Sequence, residues 1–98
     1  MRYTVPMFSE IYCVVKGRVQ GVGYRDFIDR YAKENTLYGW ITNKHDGSVE
    51  MVLQGTPDEL KDCIEILNQG SLLARVDSLS VDWRTPEKLF NEFRVIAS

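Results

Sequence analysis

From Lys16 to Arg25 the chain reads KGRVQGVGYR, ten residues with three glycines, three cations and no acid. So many glycines in so short a span weaken any helix or strand, because each adds backbone freedom that folding must remove. The segment is a connection, and its flanks decide what it connects. Upstream, IYCVV (Ile11 to Val15) is a continuous apolar run rich in β-branched residues, the pattern of a strand buried on both faces. Downstream, Tyr24, Phe27, Ile28, Tyr31 and Ala32 recur at helical spacing and mark one stripe of an amphipathic helix from about Tyr24 to Asn35. A central strand therefore feeds a helix through a glycine-rich loop.

The rest of the chain supplies five more elements. Leu37 to Asn43, LYGWITN, is aromatic and β-branched, and Val49, Met51 and Leu53 then alternate with Ser48, Glu50, Val52 and Gln54. Between them Asp46-Gly47 signals a hairpin, whose turn needs the positive φ that glycine tolerates. Thr56-Pro57-Asp58-Glu59 reads as a helix start: Thr56 as N-cap, Pro57 at the first helical position, Glu59 reaching back in a capping box. Leu60, Cys63, Ile64 and Leu67 form that helix's buried stripe, and Gly70 sits where a left-handed residue ends it. Leu79, Val81 and Trp83 alternate with polar residues as a fourth strand, and Phe93, Val95 and Ala97 suggest an edge strand. The order β-α-β-β-α-β predicts an α+β, ferredoxin-like sandwich: an antiparallel sheet with two helices on one face. That fold serves enzymes, metabolite-binding modules and RNA-binding modules alike, so it does not choose a function.

At 98 residues the sequence has room for a single domain, 1–98, with Met1 to Phe8 as a tail whose packing is open. With 44% hydrophobic and 27% charged residues the composition is that of a folding chain. The net charge of −2 weakly repels nucleic acid and anionic membranes, so any bound anion must be captured locally. Cys13 and Cys63 show no CxxC spacing and read as two buried thiols, with a single disulfide left open. No signal peptide core and no membrane-length apolar run are present, which makes the cytoplasm the expected compartment.

A glycine loop entering a helix N-terminus suits an anion, because unpaired N–H groups and the positive end of the helix point to one place. Arg25 strengthens that reading. A cation in the first helical turn opposes the macrodipole, a cost of roughly 0.3–1 kcal/mol that a bound anion reverses. Its guanidinium also offers a fork of donors matched to phosphate oxygens. A second reading stays open at this point: Asp26 and Asp29 pairing with Arg25 or Arg18 as a solvated cluster. Nucleotide motifs do not fit, since no GxxxxGK follows the loop and position 26 is Asp where GxGxxG needs glycine. His45, the one histidine, reads as an exposed loop residue without a nucleophile beside it, and no ligand cluster suggests a metal. Asn43, taken alone, is a strand-end residue before a turn.

Two ordered motifs change that. GRVQGVGYR (Gly17 to Arg25) resembles the signature of the acylphosphatases, and GWITNKHDGSVEMVLQG (Gly39 to Gly55) resembles their second, with Asn43, Gly47, Val49 and Gly55 at the family's spacing. The resemblance runs from about Ser9 to Ile96. It implies hydrolysis of the carboxyl–phosphate bond of acyl phosphates without metal or cofactor. Carried over by position, Arg25 matches the arginine that holds the phosphate together with the loop Gly17, Arg18, Val19, Gln20, Gly21, Val22, Gly23 and Tyr24, mainly through backbone N–H groups. Asn43 matches the asparagine that orients the attacking water. The implied partner is a small-molecule acyl phosphate, with no nucleic acid or membrane, and a monomer is the simplest expectation.

The chain departs from the family in two places. Asn35-Thr36 stands where many members carry glycine at the end of the first helix, and Asn35 is expected to take the left-handed C-cap instead. Thr42 replaces a residue that is usually basic or long, and should point away from Asn43's face. The alternative function is a non-catalytic module of the same fold that recognises phosphate or carbamoyl phosphate, although no zinc-finger cysteines follow in these 98 residues. An RNA-binding module is a third reading, and the acidic balance and the lone Tyr12 in IYCVVK offer it little.

Overall fold

The run Ile11–Val15 forms the middle of β1 (Ser9–Arg18), yet only Ile11, Cys13 and Val15 are fully buried while Tyr12 and Val14 are half-exposed. The strand expected to be covered on both faces is sealed on one, because both helices lie on that side. In the computed structural model residues 8–97 are described, so of the expected N-terminal tail Met1 to Met7 lie outside the described residues. Phe8 stacks on Tyr38, with ring centroids 6.0 Å apart.

The other elements are α1 (Tyr24–Glu34), β2 (Tyr38–Asn43), β3 (Val49–Gly55), α2 (Pro57–Gln69), β4 (Arg75–Arg84) and β5 (Phe93–Ile96). Ile28 and Ala32 of α1 and Leu60, Cys63 and Leu67 of α2 meet Ile11, Cys13, Val15, Val49, Met51 and Leu53 in one buried cluster. Each fully buried Leu or Ile in it contributes roughly 1.5–3 kcal/mol over exposure. The strand order is β4-β1-β3-β2-β5, antiparallel through the first four. β5 pairs with β2 in parallel, so the sheet is mixed at that edge. Alternation in the sequence locates an edge strand without fixing its direction; the direction follows from the route of the connection 85–92. That segment crosses the helix-free face and is pinned by Gln54, whose amide donates to Glu10 Oε1 (2.8 Å) and Lys88 O (2.7 Å) and accepts from Phe90 N–H (3.0 Å). Gln54 is accordingly buried, at a position where the alternation puts a solvated residue.

The two helices are closed differently. At α2 the capping box forms in full: Glu59 N–H donates to Thr56 Oγ1 (3.2 Å) and Thr56 N–H to Glu59 Oε1 (2.9 Å). At the C-terminus of α1, Asn35 does not adopt the left-handed conformation (φ −107°); Thr36 does, at φ 54°. The pattern is a Schellman motif, with Leu37 N–H donating to Ala32 O (2.8 Å) and Thr36 N–H to Lys33 O (3.4 Å). Asn35 instead turns its amide back to Tyr31 O (2.9 Å). A β-branched residue at positive φ is strained by about 1–3 kcal/mol.

Thr36→Gly is expected to raise unfolding stability by about 1 kcal/mol, the strain relieved exceeding glycine's added unfolded-state entropy. Denaturant titration measures it, and a destabilised variant would contradict it. Alkaline sensitivity is expected as well. Burial pushes the Cys13 and Cys63 thiols up to about 12 and raises the Tyr24 phenol as well. Raised folded-state values mean stability is intact below the unfolded thiol value and is lost as pH rises through the folded one. The denaturation midpoint should therefore fall above about pH 9, and less steeply when both cysteines are alanine.

Candidate active site

The site begins with a row of the sheet. Val49, at the start of β3, pairs with Val15 on one side and with Asn43 on the other. Residues directly opposite across strands share a face, so Asn43 points to the helix-covered side with Val15 and Val49. Thr42 takes the other side and donates to Ile96 O (2.9 Å). The end of β2 and the exit of β1 thus stand two strands apart at one end of the sheet, beneath the N-terminus of α1.

The exit from β1 is shaped by Gly17. The β1–β4 register shifts between Lys16 and Gly17, and a Cβ on Gly17 would lie 2.2 Å from Arg75 O. Gly17 is therefore a residue of close strand approach, placed in β1 rather than in the pocket. The loop then folds toward the hairpin, where the Gln20 amide donates to Lys44 O (2.7 Å) and Ser48 O (2.9 Å). The same turn is braced by Asp46 Oδ1, which accepts from Ser48 N–H (2.9 Å) and Ser48 Oγ (2.5 Å). These bonds hold the Asp46 carboxyl below its usual range. Gln20 spans the loop and the hairpin, fixing one against the other.

Gly23, left-handed at φ 78°, is the N-cap of α1, and no side chain caps that helix. Among the described residues the loop and cap hydrogen bonds of this turn begin at Phe27 N–H to Gly23 O (3.0 Å), which leaves the preceding amides of the first turn as donors. Below them is a pocket of about 140 Å³ lined by Val19, Gly21, Gly23, Tyr24, Arg25, Asp26 and Asn43. That is well below the roughly 300–1,000 Å³ of sites enclosing a drug-sized ligand. Tyr24 is fixed by its hydroxyl, which donates to Leu67 O (2.8 Å).

Of the residues singled out in the sequence, Val19, Gly21, Gly23, Tyr24, Arg25 and Asn43 line this pocket. Gly17, Arg18, Gln20 and Val22 do not. Arg18 is exposed, and Val22 turns its carbonyl to the Ser71 hydroxyl (3.0 Å). The ion-pair alternative is not what forms: Asp29 pairs with Lys33 (2.8 Å), and neither Arg25 nor Arg18 has a carboxylate partner among the described residues. Asn43 Oδ1 is occluded and has no hydrogen-bond partner among the described residues. Asp26 lines the pocket too, which the sequence reading overlooked; its position in the first helical turn was the available signal. His45 is exposed and outside the pocket. Among the described residues no three His, Cys, Asp or Glu side chains gather to hold a metal, and no helix is long and apolar enough to cross a membrane. A larger cavity of about 420 Å³ lies on the helix-free face, but its Arg84 and Lys88 are offset by Glu10 and Glu87 and no helix terminus faces it.

An uncapped helix N-terminus, an unpaired guanidinium and a carboxamide with a free acceptor thus converge on a space of anion size. The acylphosphatase family model matches residues 11–95. The chain belongs to the acylphosphatase family. It is 42% identical over 81 residues to an acylphosphatase of Salinibacter ruber, covering 83% of this chain and 85% of that one. Its fold is similar to that of the crystal structure of acylphosphatase from Bacillus subtilis, with a TM-score of 0.87 at 32% identity over 90% of this chain and 98% of that one. It is also similar to part of T. kodakarensis HypF, with a TM-score of 0.79 at 32% identity over 91% of this chain and 12% of that chain.

Asp26 places a negative charge at the rim of an anion pocket. Asp26→Asn is expected to tighten inorganic phosphate binding by about threefold in low salt, the effect shrinking as added salt screens the carboxylate. Titration of phosphate by calorimetry at two ionic strengths reads it, and weaker binding in the variant would contradict it.

Proposed function

We propose that this acylphosphatase hydrolyses the carboxyl–phosphate bond of acyl phosphates to a carboxylate and inorganic phosphate, with Arg25 and the α1 N-terminus holding the phosphoryl group and Asn43 orienting water. Phosphoryl transfer asks for little covalent help from a protein; it asks that equatorial oxygens be held, developing charge matched and the nucleophile aligned. The Arg25 fork and the first-turn amides supply the first two. In the step itself, water oxygen bonds to phosphorus as the bond from phosphorus to the acyl oxygen breaks. The electron pair leaves with the carboxylate, and the water's proton passes to phosphate or solvent. A carboxylate is a good leaving group, so no general acid is required.

The observation that carries this reading is Asn43. Its Oδ1 is an occluded acceptor without a donor, in the wall of the pocket that Arg25 also lines. Such an acceptor costs about 1–3 kcal/mol until a donor is found. A half-turn of the amide, which exchanges Oδ1 with Nδ2, brings the acceptor toward the pocket, where a water on the phosphoryl face can donate to it. Because the amide is neutral it adds no charge against the phosphate. The second reading is a module of the same fold that recognises phosphate or carbamoyl phosphate without turning it over; the likeness to a segment making up 12% of T. kodakarensis HypF supports it only in that the fold also occurs within a larger chain.

Both are decided by benzoyl phosphate hydrolysis in the presence of a chelator, with phosphate binding measured alongside. Wild type is expected to turn over without added metal. Arg25→Gln should weaken phosphate binding and lower kcat/KM by about 100-fold or more, in keeping with loss of a charge-matched donor. Asn43→Ala should lower kcat by about 100-fold and leave phosphate affinity within about twofold. Activity indifferent to Asn43→Ala overturns the mechanism, and phosphate binding without wild-type turnover establishes the second reading.

A further inference from the structure

Beside the phosphate pocket lies a second, more open cavity of about 530 Å³, and the two share Gly23 and Asp26. Its walls are Val22 and Phe27 from the loop and α1, and Leu72 and Leu73 from the turn between α2 and β4. Leu72 is 98% exposed and Leu73 69% exposed, the two most exposed of the large hydrophobic side chains among the described residues. Neither contributes to the core, so packing does not account for two adjacent leucines at a surface turn where polar residues are the rule. The turn is tied to the loop: Ser71 Oγ donates to Val22 O (3.0 Å), and the Tyr24 hydroxyl binds Leu67 O at the end of α2 (2.8 Å). These bonds tether the backbone of the turn that carries Leu72 and Leu73 to the loop beside the phosphate pocket.

We infer that this groove is the acyl-group subsite and that it favours acyl phosphates whose acyl part is apolar and about the size of an aromatic ring. The inference rests on the phosphate reading of the neighbouring pocket. An acyl phosphate held by its phosphoryl group must direct its acyl group out of the small pocket, and the shared rim at Gly23 and Asp26 leads into the groove. The occupant is chosen by chemistry. Val22, Phe27, Leu72 and Leu73 offer apolar contact, and the Asp26 carboxylate at the junction opposes an acyl group with its own carboxylate close to the carbonyl. Arg30 lines the groove one helical turn beyond Asp26, so the aliphatic part of its side chain adds to the wall.

The test compares wild type with Leu72→Ser/Leu73→Ser, a change confined to exposed side chains. Ligands are the non-hydrolysable benzoylphosphonate and acetylphosphonate, with inorganic phosphate as reference, and benzoyl and acetyl phosphate serve as substrates. Wild type is expected to bind benzoylphosphonate about tenfold tighter than acetylphosphonate, which corresponds to covering about 55 Å² of apolar surface, a fraction of one ring. The double variant should lose most of that difference through a raised KM for benzoyl phosphate. Its acetyl phosphate kinetics and phosphate affinity should stay within about twofold of wild type, as expected for a change that removes only apolar contact. Equal binding of the two phosphonates by wild type, or an equal loss for both in the variant, overturns the groove while leaving the phosphate site standing. Failure of wild type to bind phosphate at all overturns both.

Discussion

Val49 holds the site together, although it does not line the pocket. Its backbone pairs with Val15 on one side and Asn43 on the other, so the exit of β1 and the end of β2 are fixed in one row. Side chains alternate along a strand, so a slip of one residue between β2 and β3 would carry Asn43 to the helix-free face and Thr42 into the pocket. Ile41, fully buried on the same face of β2 as Asn43, makes that slip costly, since it would leave its place beside Met51 in the core along with Asn43. The precision of a polar site is thus borrowed from apolar packing. Gln20 completes the frame by bonding the loop to the two carbonyls at the hairpin's mouth, a link that backbone pairing alone does not provide.

The two helix starts show where stability has been given up. α2 satisfies its first turn with its own Thr56 and Glu59, and it supports the core. α1 has a glycine N-cap, no side-chain acceptor and a cation at its second position, so its first-turn donors are uncapped and Arg25 opposes the dipole that Asp26 beside it offsets. Ordinary capping at this end would be worth about 1 kcal/mol. A capping side chain would also occupy space at the mouth of the pocket that Gly23 and Arg25 line. Asp29, one turn along the same stripe of α1, pairs with Lys33, and Arg25 is left without a carboxylate partner among the described residues.

Much of this was legible in the sequence, for physical reasons that differ by element. The helices announced themselves through periodicity, and Thr56-Pro57-Asp58-Glu59 named its capping box because every partner lies within four residues. Arg25 was legible because a cation in a first helical turn has a cost that invites a cause. Other features depend on parts of the chain far apart in sequence. Gln54 reads as a solvated strand residue, and only the connection from Thr85 to Glu92 makes it buried. Gly17 reads as a loop glycine, and only the approach of Arg75 shows that it serves a strand. Asn35 was favoured for the left-handed cap by its chemistry, but the hydrogen bond from Leu37 to Ala32 places that conformation on Thr36. The pairing of Leu72 and Leu73 with Val22 and Phe27 is of the same kind, since it joins segments some fifty residues apart.

A chain of net charge −2 that captures an anion must do so by geometry, because its long-range field is unhelpful. What the structure offers is short-ranged: first-turn amides, one fork of donors and a neutral amide in a space of about 140 Å³. Such groups act strongly only once water is thinned out around them, and the buried side chains of Val19 and Tyr24 exclude it from one wall. The opposite rim, with Asp26, remains open to solvent. An arrangement of this kind favours a ligand whose charge is concentrated on one small group and whose remainder can leave through the rim. On the proposed reading, a charged end held by backbone and Arg25 and an uncharged end turned toward an apolar wall would match the two-part chemistry of an acyl phosphate better than that of free phosphate or of a nucleotide.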